Sequence, residues 1–198
     1  MTAGRLAGVL CVAALMAVVT VATPTTAAAE DWSGDANLFV GRKALKSGGW
    51  DSVNRQSDFG VEVSWGKKEW PIRIATDLLV TSQKKTESGV DRKGGTSEFD
   101  LGFRKIWDKN HLHPFFGGGM AILTGTLKTT SAGVSDEEHR NSSGVWVGGG
   151  AFWRLGPRIN LGGEARVSTG VIKFSGQGSD AGGIQAGVVL GFHWPGGK

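Results

Sequence analysis

Tyrosine is absent from this 198-residue chain, cysteine occurs once and proline five times. With Cys11 as its only thiol the chain can form no internal disulfide. Scarce proline argues against a proline-rich disordered segment, and the 33 glycines follow no three-residue period of the collagen kind. After residue 29 no apolar run is long enough for a membrane-spanning helix. No phosphate-loop pattern joins a strand to a helix, and a formal net charge of +4 is too weak to argue for nucleic acid.

What is present begins with an export segment. Arg5 supplies a charged start, Leu6 to Val21 an apolar stretch, and Ala27-Ala28-Ala29 a small-residue cleavage site. Residues 1–29 therefore read as a signal peptide, cleaved before Glu30 with Cys11 leaving in it, and 30–198 as one domain.

That domain alternates. Successive side chains of a strand point to opposite faces, and Phe59, Val61, Val63 and Trp65 share one face while Gly60, Glu62 and Ser64 share the other. Trp70, Ile72, Ile74, Thr76, Leu78 and Val80 oppose Arg73, Ala75, Asp77 and Leu79. Phe99, Leu101, Phe103 and Trp107 oppose Glu98, Asp100 and Arg104, with Lys105 able to snorkel from the apolar side. Ile159 to Val167 and Ile184 to Trp194 repeat the split, with Glu164, Arg166 and His193 on the polar face. Ala36, Leu38 and Val40, and Val145 to Trp153, agree without adding charge. The run from Pro114 to Leu127 is apolar on both faces, so periodicity does not orient it.

Connection lengths alternate too. Segments 66–69, 108–113 and 155–158 are short, whereas 45–56, 83–95, 128–143 and 170–181 read as long loops. Eight antiparallel strands starting and ending on the short-turn side produce this pattern in outer-membrane barrels. Trp32, Trp65, Trp70, Trp107, Trp153 and Trp194 fall at the short-turn ends, the position an interfacial aromatic girdle requires. The alternative is a secreted soluble barrel binding a small ligand, its apolar face forming the core. The tryptophan ring, the few charges on the polar face and glycine runs such as Gly117-Gly118-Gly119 favour the membrane reading.

The chain resembles, in architecture over residues 32–194, the small eight-stranded outer-membrane barrels of the OmpA/OmpX type. The resemblance implies an all-β, up-and-down transmembrane barrel in a Gram-negative outer membrane, placed there by the insertion machinery that reads an aromatic last strand. Leu190, Phe192 and Trp194 look like that signal, with Pro195-Gly196-Gly197-Lys198 after it. Because that group includes anchors, adhesins and lipid A modifying enzymes, the resemblance leaves activity open.

An eight-stranded barrel is just wide enough for side chains to fill, so Glu62, Arg73, Asp77, Glu98, Asp100, Arg104, Glu164 and Arg166 are expected to pair in the lumen. Placing Trp65 opposite Trp70 across the first short turn sets Glu62 opposite Arg73. The surplus of carboxylates calls for protonation, water or a further base such as Lys43. A filled interior argues against a pore and favours a monomeric structural or surface-interaction protein presenting four long outer loops. Lys84, Lys85, Arg92 and Lys93 in the second loop are candidate contacts for lipopolysaccharide phosphates.

A lipid A modifying enzyme is the competing reading. It needs a nucleophile with a base in reach, yet Ser168 and His193 sit at opposite ends of the barrel, and only His139 in a loop lies near Ser142 and Ser143. No cofactor or metal is expected: His111-x-His113 lacks further ligands and Asp136-Glu137-Glu138 reads as a solvated acidic run.

Overall fold

A computed structural model of the chain describes residues 31–46, 48–174 and 177–194. The expected export segment and the four residues after Trp194 lie outside that range. Ten strands follow in order: β1 Trp32–Ala44, β2 Arg55–Lys67, β3 Arg73–Glu87, β4 Val90–Ile106, β5 Leu112–Ser131, β6 Val134–Leu155, β7 Ile159–Ser168, β8 Val171–Phe174, β9 Gln177–Asp180 and β10 Gly183–Trp194. Eight of them close a barrel in the order β1-β10-β7-β6-β5-β4-β3-β2, all antiparallel, while β8 and β9 form a separate hairpin in the last outer connection. Closure comes from β1, which pairs with β2 on one side and β10 on the other, Leu38 meeting Val61 and Leu190.

The wall is inside out relative to a soluble barrel. Leu101, Phe103 and Met120 are 52%, 59% and 68% exposed, while Glu62, Asp77 and Arg104 are 0–2% exposed. A continuous apolar exterior of this kind is stable against hydrocarbon rather than water. Parity also orients β5, which the sequence left undecided: Phe116, Met120 and Ile122 face outward, and Phe115, Ala121 and Leu123 face the lumen.

Two sequence expectations are corrected. Segments 83–95 and 128–143 are not loops, because β3 pairs with β4 up to Glu87–Val90 and β5 with β6 up to Ser131–Val134. Their turns are two residues each, Ser88-Gly89 and Ala132-Gly133, with φ values of 49° and 77° and of 47° and 82°. Positive φ at both central positions gives the type I′ form, whose twist matches the flanking strands. Above the membrane both faces of a hairpin are wet, so the alternation that marks a strand in the wall fades there.

The second correction concerns the first short turn. Trp65 pairs with Ile74 rather than Trp70, and Glu62 lies opposite Asp77 rather than Arg73. β2 continues to Lys67, opposite Trp32. Trp70 belongs to the turn, where its N–H donates to the Lys67 carbonyl at 3.0 Å and its ring meets Trp32 edge-on at 5.4 Å. Pro71, with no N–H to give a ladder, delays β3 until Arg73.

Candidate functional site

The register places Glu62, Asp77 and Asp100 directly beside one another on β2, β3 and β4, all pointing inward. Like charges in facing positions repel, so the row needs a counter-ion. Arg166 supplies it from β7: Nη1 donates to Asp100 at 2.8 Å, and Nη2 to Asp77 at 2.7 Å and Glu62 at 3.1 Å. Its Nε and Nη2 also hold Glu164 at 3.0 and 2.8 Å, and the guanidinium lies 4.9 Å over the Trp146 ring. Arg104 adds a second cation, 3.0 Å from Asp77 and 3.8 Å from Glu62, over the ring of Phe115.

Room for this cluster comes from glycine. A Cβ on Gly148 would stand 2.7 Å from the Arg166 Cβ and 3.2 Å from the Ala165 carbonyl, both fixed positions. Gly148→Val is therefore expected to destabilise the barrel by about 2 kcal/mol through overpacking, read as a lower urea midpoint for heat-modifiable gel mobility. Gly163→Ala, whose Cβ meets only a carbonyl at 3.4 Å, leaves that midpoint in place.

Toward the outer mouth, Glu98 accepts from Lys43 at 2.7 Å, Ser168 at 3.0 Å and Gln185 at 3.3 Å. Toward the short-turn end, Asp35 gathers Arg73, His193 Nδ1 at 3.0 Å, Asn160 at 2.8 Å and Arg154 at 3.3 Å. Arg73 thus belongs to the Asp35 cluster, away from Glu62. Asp58 is buried, and neither of its oxygens has a hydrogen-bond partner among the described residues.

Sequence reading omitted Asp35 and Asp58. The signal was there, since Asp35 shares parity with Ser33 and Asn37, and Asp58 with Glu62. Starting β1 at Ala36 and β2 at Phe59 cut both off.

The mouth is covered. Trp50 and Val53 from the 45–54 loop and Ile172 from the β8–β9 hairpin join one buried cluster with Leu123 and Trp146, and the Trp50 indole N–H donates to the Asp180 carbonyl at 2.9 Å. Inside the barrel, Phe39, Leu79, Phe115, Phe152 and Val189 form a second apolar cluster.

Ser168 and His193 are held in different clusters, at Glu98 and Asp35. His139 Nδ1 shares a 3.0 Å hydrogen bond with Thr126 Oγ1, and His113 Nδ1 donates to Asp108 at 2.9 Å. Trp32, Trp65, Trp70, Trp107, Trp153 and Trp194 all lie at the short-turn rim.

The four bases of the β3–β4 hairpin divide by parity. Lys84 and Lys93 are cross-strand partners on the outer face, and Lys93 in turn partners Lys128 of β5. Lys85 and Arg92 face the mouth, Lys85 2.5 Å from Glu87 and Arg92 donating to the Asp51 carbonyl at 3.2 Å. Lys84 is 2.8 Å from Asp91, and its hydrogen bond, with one from Thr86, holds that carboxyl below the usual carboxylate range. Lys128 lies 3.5 Å from Glu137, and among the described residues Lys93 has no carboxylate within salt-bridge distance, which leaves it as the unpaired cation of the three.

No protein-family model matches the chain, and no curated protein matches its sequence. Solved structures do. Ail, the attachment invasion locus protein of Yersinia pestis, solved with the heparin analogue sucrose octasulfate, superposes with a TM-score of 0.59 at 11% identity, over 83% of this chain and 99% of that one. This chain has the fold of the small eight-stranded outer-membrane β-barrels. A major outer membrane protein from Thermus thermophilus gives 0.54 at 11% identity, over 83% and 98% of the two chains. Neisserial surface protein A gives 0.50 at 14%, over 82% and 94%. At these identities the likeness is one of fold.

Proposed function

We propose that this chain is a Gram-negative outer-membrane protein, exported by residues 1–29 and inserted as a monomer, whose interior is sealed and whose work is done at the cell surface. The inverted burial carries this reading: ionic side chains are enclosed while the apolar ones stand outside. Three layers support a closed lumen, namely the Asp35 cluster, the Arg166 cluster and the apolar cover around Trp50. What remains for interaction is the four-stranded sheet that β3 to β6 raise above the wall.

On its outer face Lys84, Lys93 and Lys128 stand in one row at strand spacing, about 4.8 Å apart. We assign this row to phosphates of neighbouring lipopolysaccharide as charge-assisted contacts. The fold-mate Ail was solved with a sulfated sugar, which has the same polyanionic chemistry.

The test is fractionation of the full-length chain expressed in a Gram-negative host. Recovery in the outer membrane with heat-modifiable gel mobility is the expected result, and recovery as a soluble protein without detergent defeats the reading. In planar bilayers the inserted protein is expected to give no large, stable current steps. Such steps would discredit the sealed interior while leaving the location intact.

A further inference from the structure

A shallow groove of about 230 Å³ crosses the outer wall over β6 and β7, lined by Phe116, Val147, Gly149, Ala165, Val167 and Ile184. It follows one hydrogen-bonded row of the barrel. Phe116 pairs with Gly149, Gly149 with Ala165, Ala165 with Ala186, and Ala186 with Arg42. Phe116 lies near the short-turn end of β5 and Arg42 near the outer end of β1, so the row climbs the wall diagonally, as strand tilt requires. The three residues between them are glycine and alanine, which lowers the wall there, while Val147, Val167 and Ile184 form the next row up and bound it.

The upper end is cationic. Arg42 is exposed and donates to Ser57 at 3.1 Å, and Arg55, also exposed, is its diagonal neighbour on β2. Among the described residues neither guanidinium has a carboxylate within salt-bridge distance. Four strand-to-strand steps of about 4.8 Å make the row about 19 Å long around the wall, and a strand tilt of about 40° turns roughly 12 Å of that into depth, most of the roughly 15 Å of hydrocarbon in one leaflet. The groove itself reaches Ile184, and the small side chain of Ala186 continues the low row from there to Arg42. An apolar path open to lipid that leads to two guanidinium groups without carboxylate partners is complementary to an acyl chain with an anionic head.

We propose that this groove seats one acyl chain of lipid A, with a lipid A phosphate held by Arg42 and Arg55. The inference rests on the outer-membrane reading above; its apolar part lies over β6 and β7, and its cationic end adjoins the Lys84–Lys93–Lys128 row, since the Arg55 N–H donates to Gln83 of β3, the residue before Lys84.

The test uses the full-length barrel folded in detergent, with native mass spectrometry counting bound hexa-acylated lipid A. Wild type is expected to retain one lipid A tightly. Ala165→Leu, which fills the groove from an outward position, and the pair Arg42→Gln with Arg55→Gln are each expected to weaken retention about tenfold. Thr76→Leu, which places the same outward leucine on the far wall, should change nothing, and lipid A stripped of phosphate should bind like the double arginine variant. Heat-modifiable mobility confirms folding in each case, so loss of the gel shift in wild type would count against the membrane reading itself. With folding intact, unchanged retention in Ala165→Leu overturns the groove. Equal retention of phosphatidylglycerol overturns lipid A as its occupant, and a dimer blocked by Ala165→Leu would reassign the groove to a second copy.

Discussion

Arg166→Ala is expected to cost the barrel about 4 kcal/mol, enough to prevent refolding into micelles. The side chain is fully enclosed and contacts Glu62, Asp77, Asp100 and Glu164. Removing it leaves three adjacent carboxylates on β2, β3 and β4 with Arg104 as the nearby cation. Arg104 reaches Asp77 and, loosely, Glu62. Arg166→Lys should recover only part of the loss, since one ammonium cannot reproduce a fork that binds on two sides at once. Adding Asp77→Asn to Arg166→Ala should recover more, because it removes the central charge of the row. A urea midpoint for Arg166→Ala equal to that of wild type would show that the lumen does not depend on this ion. Arg73→Ala serves as a comparison, with an expected loss of about 1 kcal/mol. The Arg73 side chain is 18% exposed, and Asp35 keeps His193, Asn160 and Arg154 as donors.

Trp50→Ala is expected to release the cover of the mouth while leaving the wall intact. Truncating a buried tryptophan costs about 3–5 kcal/mol, and here the loss falls on the contact among the 45–54 loop, the β8–β9 hairpin and Leu123. Lys46 and Lys173 are exposed already, but local opening should free their backbone to enter the trypsin cleft, since proteolysis follows the population of the open form. The measurement is the rate of trypsin cleavage at those two lysines in the folded protein, expected to rise at least about tenfold. Gly125→Leu provides an independent route to the same outcome, because a Cβ at Gly125 would stand 2.6 Å from Ile172 Cδ1 and 3.1 Å from Trp50. Cleavage unchanged in both variants would show that the loop and hairpin are held by something other than this packing.

The wall was legible in the sequence because lipid outside and a polar lumen inside impose strict two-residue alternation. Glu62, Asp77, Glu164 and Arg166 each fell on the correct parity for that reason. What alternation cannot supply is register. The offset between Glu62 and Arg73 depends on how many residues the turn at Trp70-Pro71 consumes, and no periodicity records that number. The counter-ions depend on register around the whole ring: Lys43 finds Glu98 from β1 to β4, and Asp35 finds Asn160 from β1 to β7. β5 was unreadable for another cause. Its inward residues Phe115, Ala121 and Leu123 sit against Arg104, the lumen and the mouth cover, where apolar side chains are wanted on the inner face as well. The heights of the hairpins were lost because solvent on both faces leaves no contrast to read.

Those hairpins fix a distance. From Ile122, the last apolar residue of β5 on the outer face, to Ser131 at the turn the strand advances about 30 Å, which at a barrel-like tilt raises the tip by about 20 Å. Ladders run to both turns, so the tip at Ala132-Gly133 stands on a post and not on a tether. Any molecule that touches it is held at one stand-off from the apolar band of the wall, and two such molecules on neighbouring barrels meet at the same height.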